Sequence, residues 1–140
     1  MLRHNFRGVG GTAGSHDEGR GETEDLLAVI AAQRQVGERL VLGGFSFGAY
    51  VTTLAAAALA EGEKAERLLL VGPSTQRATP APVPADTLII HGEADDVVPL
   101  SAVLDWARPQ HLPVVVMPGV GHFFHGQLTQ LRNHIVRFWH

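Results

Sequence analysis

Three residue types that can cooperate in acyl chemistry occur in the order serine, aspartate, histidine: Ser46, then Asp95 with Asp96 beside it, then His122. A serine hydroxyl is a poor nucleophile until a neutral imidazole takes its proton. A carboxylate on the far side of that ring fixes its tautomer and stabilises the imidazolium that forms. Each residue alone has an ordinary explanation. A serine can cap a helix, an aspartate after a strand can hold a turn, and a histidine beside glycine can sit in a surface loop. The surroundings of Ser46 narrow the choice. Gly44-Phe45-Ser46-Phe47-Gly48 fits the pattern G-x-S-x-G, with the apolar run 40–42 before it and the alanine-rich apolar stretch 49–59 after it. A strand that turns at once into a helix lifts its central side chain above the sheet edge. It also brings the positions two before and two after too close together for a Cβ.

The elements that must position these residues follow from periodicity. Residues 40–45, 68–71, 87–91 and 114–117 are short apolar runs and predict strands; the uninterrupted apolarity of 68–71 suits a parallel sheet covered on both faces. Residues 22–35 predict an amphipathic helix, with Glu22, Glu24 and Asp25 in its acidic first turn. Leu26, Leu27, Ile30 and Ala31 form its apolar stripe and Gly37 its stop. Residues 49–59, 100–108 and 127–139 predict three further helices, the last with Leu128, Leu131, Ile135 and Phe138 on one face. Residues 72–86 hold Pro73, Pro80, Pro82 and Pro84 and read as loop. Strands alternating with helices imply an α/β fold, a mainly parallel doubly wound sheet, in one domain over 1–140. In such a sheet functional residues gather at the carboxyl ends of the strands, where Ser46, Asp95 or Asp96, and His122 all fall.

Composition sets the outer limits. The 140 residues are 45% hydrophobic and 18% charged, an ordinary globular balance that one domain can bury. A formal charge of −3 gives no basic footprint for nucleic acid. No apolar run reaches membrane-spanning length, and no basic-then-apolar signal segment opens the chain, so the expected setting is the cytoplasm, with no membrane partner. The absence of cysteine leaves no disulfide, zinc-thiolate site or thiol nucleophile.

Other chemistries fit less well. Residues 7–21 hold six glycines, but no Gly-Lys-Ser/Thr follows, and the third glycine of a dinucleotide fingerprint is displaced. His122 and His125 have a spacing that could ligate a metal, with Asp95 adding a carboxylate, yet nothing else converges there. Arg3, Arg7 and Arg20 near glycines read as solvated or paired with acids such as Asp17. No cofactor and no metal are therefore expected.

The motifs as a set resemble the small, lidless bacterial α/β-hydrolases of the dienelactone-hydrolase and short-chain carboxylesterase group. The match rests on Asn5-Phe6-Arg7-Gly8-Val9-Gly10, the elbow at 44–48, His91-Gly92-Glu93-Ala94-Asp95-Asp96-Val97-Val98-Pro99 and Pro118-Gly119-Val120-Gly121-His122-Phe123-Phe124. By the family pattern G-x-x-D-x-x-V, the resemblance makes Asp95 the triad acid and Asp96 a neighbour pointing elsewhere. It implies Ser46 as nucleophile, His122 as base and the N–H of Phe47 as an oxyanion donor. Dienelactone hydrolases proper use cysteine, so that particular substrate is disfavoured, and small carboxylic esters or related acyl compounds are the expected substrates. Relatives carry three further strands and a helix upstream, with a loop that supplies a second oxyanion donor. Residues 1–6 resemble their fourth strand, so a truncated fold, with impaired activity and self-association through an open sheet edge at 40–45, is expected. The alternatives are a catalytically silent fragment or binding module, and an acyltransferase on the same triad.

Overall fold

The structure, a computed structural model, describes residues 19–139. The expected strand over 1–6, its relation to 40–45, and Arg3, Arg7 and Asp17 lie outside the described residues. Helix α1 (Arg20–Gln33) leads into strand β1 (Val41–Phe45), helix α2 (Phe47–Ala58) and strand β2 (Arg67–Val71). Strand β3 (Leu88–Gly92), helix α3 (Leu100–Ala107), strand β4 (Val115–Met117) and helix α4 (Leu128–Phe138) follow. The strands form one parallel sheet in the order β1-β2-β3-β4.

The register divides the side chains between two faces. Leu42 lies beside Leu68, Gly44 beside Leu70, and Leu70 beside Ile89. This face is covered by α1 through Leu26 and Ile30, by α2 through Ala49 and Ala56, and by α3 through Val103 and Ala107. On the opposite face Leu69, Val71, Leu88, Ile90, Val115 and Met117 pack under α4. Burial of large apolar side chains on both faces contributes roughly 1.5–3 kcal/mol for each residue fully removed from water. That requirement explains why β2 and β3 are apolar at almost every position. Helix α2 is small-residued as well as apolar, and Ala49, Val51 and Ala55 are wholly buried. Its two threonines satisfy their hydroxyls locally, Thr52 Oγ1 donating to Gly48 O and Thr53 Oγ1 to Tyr50 O, each at 2.7 Å. Thr53 Oγ1 also accepts from Ala81 N at 3.0 Å, which pins the proline-rich loop to α2.

Several local expectations are corrected. Helix α1 starts two residues earlier than its acidic turn suggests, because Gly19 N–H donates to Glu22 Oε1 at 3.0 Å, the N3 carboxylate reaching back to cap the first turn. It ends at Gln33, where Arg34 turns extended and its N–H still reaches Ile30 O. Gly37, at φ +78°, therefore serves the following turn and is not the helix stop. Ala31 is exposed. Along α4 and its C-cap the packed line is Leu131, Ile135 and Trp139, whereas Leu128 and Phe138 are 65% and 39% exposed. Trp139 takes the place expected for Phe138, because the Arg67 guanidinium lies 4.4 Å over its ring. Arg67 also donates to Asp86 O and Phe138 O, holding the end of α4 at the start of β2.

Candidate active site

The site is assembled at the carboxyl ends of β1, β3 and β4. Ser46 follows β1 directly, and its N–H continues the ladder to Val71 O at 2.9 Å. The backbone then reverses at φ 56°, ψ −119°, a conformation L-residues rarely adopt, at a cost of order 1–3 kcal/mol. Ala49 N and Tyr50 N donate back to Ser46 O at 3.0 and 3.3 Å, so α2 begins without a connecting loop. The glycine at 44 is required by contact: a Cβ there would lie 2.3 Å from Gly48 O. Ser74 N, from the loop after β2, adds a third hydrogen bond to Ser46 O at 3.2 Å.

Asp95 stands in the turn after β3 and is 6% exposed. Its Oδ1 accepts from Val97 N at 2.9 Å and Val98 N at 2.7 Å, so the turn itself fixes the carboxylate. The other oxygen, Oδ2, lies 2.6 Å from His122 Nδ1. Asp96, the neighbour, is exposed. Only Asp95 of the two acids is turned into the site.

His122 comes from the loop after β4, and the close seating of that loop is visible in its contacts. Ala94 N donates to Val120 O at 2.9 Å, and Gly119 N donates to Glu93 Oε1 at 2.8 Å. A Cβ on Gly92 would lie 2.3 Å from Val120 O, so glycine at that strand end lets the aspartate and histidine loops touch. The imidazole is 3% exposed, held between Phe45 at 5.0 Å and the edge-on ring of Phe123 at 4.9 Å. Its Nε2 is 2.9 Å from Ser46 Oγ. The partners assign the tautomer: Nδ1–H donates to Asp95, and Nε2 accepts from the serine hydroxyl.

The structure thus brings Ser46, His122 and Asp95 into one hydrogen-bonded line. Phe47 follows Ser46 as the first residue of α2, its ring 5.9 Å from that of Tyr50. His125 does not join the site; it is exposed, 5.8 Å from the ring of Phe123. Among the described residues, no group of three or more histidines and acids gathers as a metal site. No helix among them is long and apolar enough to cross a membrane.

One neighbour escapes the motif reading. His91, near the end of β3, is wholly buried, its Nε2 2.7 Å from Val98 O and 3.3 Å from Asp95 Oδ2. Val98 O can only accept, so Nε2 carries the proton; Nδ1 is buried with no hydrogen-bond partner among the described residues. Burial holds this imidazole below its ordinary range, which keeps it neutral, so the 3.3 Å approach to Asp95 Oδ2 is not an ion pair, and its hydrogen bond goes to Val98 O. The available signal was a histidine four residues before the acid, closing an otherwise apolar strand.

Comparison with known proteins agrees with the α/β fold. No family model matches the chain. An uncharacterised protein of Rickettsia prowazekii is 30% identical over 141 residues, 89% of this chain and 58% of that protein. The crystal structure of a lidless α/β serine hydrolase from Xanthomonas campestris is 43% identical with a TM-score of 0.82, over 96% of this chain and 64% of that one. An α/β serine hydrolase homologue from Coxiella burnetii is 38% identical with a TM-score of 0.78, over 97% of this chain and 67% of that one. The chain therefore spans about three fifths to two thirds of the length of these relatives. By fold, identity and coverage, it belongs to the α/β serine hydrolase homologues.

Proposed function

We propose that this chain hydrolyses small carboxylic esters or related acyl compounds through Ser46, His122 and Asp95. The observation that carries the reading is the continuous line from Ser46 Oγ to His122 Nε2 at 2.9 Å and from His122 Nδ1 to Asp95 Oδ2 at 2.6 Å. Ser46 Oγ attacks the acyl carbon as its proton passes to His122 Nε2. The N–H of Phe47, at the start of α2, donates to the carbonyl oxygen as it gains charge. His122 then returns the proton to the leaving group, and water repeats the sequence on the acyl-serine. Throughout, Asp95 holds the Nδ1–H tautomer and faces the imidazolium when it forms.

The same acyl-serine passes its acyl group to an alcohol or amine if one replaces water, so acceptor competition separates a hydrolase from an acyltransferase. The test is steady-state turnover of short-chain nitrophenyl esters by the chain and by Ser46→Ala. Turnover lost in the variant, with an unchanged circular dichroism spectrum, supports the reading. Equal rates in the two proteins contradict it.

A further inference from the structure

Two large apolar rings flank the catalytic line and remain open to solvent. Phe45, the last residue of β1, is 41% exposed, and Phe123, directly after His122, is 57% exposed. With the imidazole they form a triangle of ring centroids. His122 lies 5.0 Å from Phe45 and 4.9 Å from Phe123, and the two phenyl rings are 6.0 Å apart. The imidazole corner is buried, whereas the two aromatic corners are not. Gly72, at φ +55°, sits beside this triangle: a Cβ there would stand 3.5 Å from the Phe45 ring and 3.7 Å from His122. Both rings therefore close over a position that carries no side chain. Adjacent aromatic side chains left open beside a nucleophile are apolar surface of the kind that receives a ligand.

The chemistry of the site says which half of an ester meets them. Once Ser46 Oγ has bonded the acyl carbon, the bond from that carbon to the alcohol oxygen breaks. Its electron pair goes to the oxygen, which takes the proton from His122 Nε2 and departs as the alcohol. The alcohol oxygen must then lie within hydrogen-bond reach of Nε2. The carbon it carries starts one bond further out, beside the ring that Phe45 and Phe123 flank. The acyl chain leaves the same carbonyl carbon in another direction. We propose that Phe45 and Phe123 seat the alcohol part of the substrate, and that the preferred substrates are esters of apolar, aryl-bearing alcohols. This deepens the hydrolase reading and rests on it.

A ratio of rates separates this role from mere shielding of His122. The experiment measures kcat/KM for benzyl acetate and ethyl acetate, which differ only in the alcohol, and for ethyl hexanoate, which differs from ethyl acetate only in the acyl chain. Each is measured in the 140-residue chain and in the double variant Phe45→Ala, Phe123→Ala. Disturbance of His122 slows all three esters alike and cancels in the ratios, as does the intrinsic reactivity of each ester. The expected result is a benzyl-to-ethyl ratio that falls about tenfold in the double variant, the low end for lost apolar contacts. The hexanoate-to-acetate ratio should stay where it was. An unchanged benzyl-to-ethyl ratio, or an equal fall in both ratios, would overturn the proposal and leave the hydrolase reading standing.

A measurement on the unaltered chain needs neither turnover nor a folded variant. Benzyl alcohol, the product of the first ester, is titrated into the chain and the phenylalanine ring signals are followed by NMR. The signals of Phe45 and Phe123 should move together at concentrations on the order of 10 mM, the range expected for a ligand of this size. Rings that stay unmoved, or that move less than phenylalanines elsewhere in the chain, would overturn the proposal. Absence of all ester hydrolysis, with these two rings shifting as expected, would count against the hydrolase reading and leave the aromatic seat supported.

Discussion

Asp95→Asn is the substitution whose consequence the geometry specifies most fully. The amide must present its oxygen to Val97 N and Val98 N, at 2.9 and 2.7 Å, or leave two N–H groups facing an NH2. Its NH2 then occupies the place of Oδ2, 2.6 Å from His122 Nδ1 and 3.3 Å from His91 Nε2. Nδ1 can only accept from that NH2, so the ring proton moves to Nε2, and Nε2 can no longer take the proton of Ser46. By analogy with other triads, holding the wrong tautomer costs about 10⁴-fold in kcat, or about 5.5 kcal/mol of transition-state stabilisation. Asp96→Asn is the internal control, because that side chain is exposed and outside the hydrogen-bonded line. Initial rates on a short-chain nitrophenyl ester for both variants, with thermal melts to monitor folding, provide the comparison. Equal losses, or a larger loss at Asp96, would refute the reasoning.

Three further outcomes follow from other parts of the structure. Gly44→Ala places a methyl 2.3 Å from Gly48 O; overpacking of this kind costs about 1–3 kcal/mol. It should lower Tm and reduce the rate by more than the stability loss explains, which paired melts and kinetics would show. His91 is held neutral by burial, so the unfolded chain binds a proton that the folded chain refuses. Its contribution is present above the ordinary imidazole value and is lost as pH falls below it, with a slope of up to about 1.4 kcal/mol per pH unit. Urea midpoints measured from pH 7.5 down to pH 5 should decline, and a flat profile would contradict this. Finally, β1 pairs only with β2 among the described residues, and Val41 on it is 48% exposed. Such an edge is a template for another strand. Sedimentation should show concentration-dependent association that Val41→Lys reduces; a chain that stays monomeric at all concentrations would contradict it.

What could be read from sequence was whatever a local pattern dictates. The strand ends were legible because apolar runs stop at glycine, and the elbow was legible because two glycines flank a serine between a strand and a helix. Asp95 was separable from Asp96 only through a family pattern. Nothing in Ala94-Asp95-Asp96 says which carboxylate the turn will fold inward, whereas the structure shows Val97 N and Val98 N capturing Asp95. His91 was not legible as part of the site, since its hydrogen bond to Val98 O and its 3.3 Å approach to Asp95 Oδ2 are set by the turn and not by residue type. The same holds for Phe138 and Trp139. Periodicity favoured the first, and a guanidinium from β2 stacking on the second decided otherwise. Ser74 after β2 also donates to Ser46 O at 3.2 Å, a long-range contact that no local pattern announces.

The central claim is that Ser46 is a nucleophile activated by His122. A fluorophosphonate probe reacts covalently with a serine so activated, whatever the natural substrate, and peptide mapping identifies the modified residue. The account predicts one modified residue, Ser46, with labelling abolished in a folded Ser46→Ala chain and much reduced in Asp95→Asn. No labelling of the folded chain, or labelling that persists at Ser74 or Ser101 in Ser46→Ala, would contradict it.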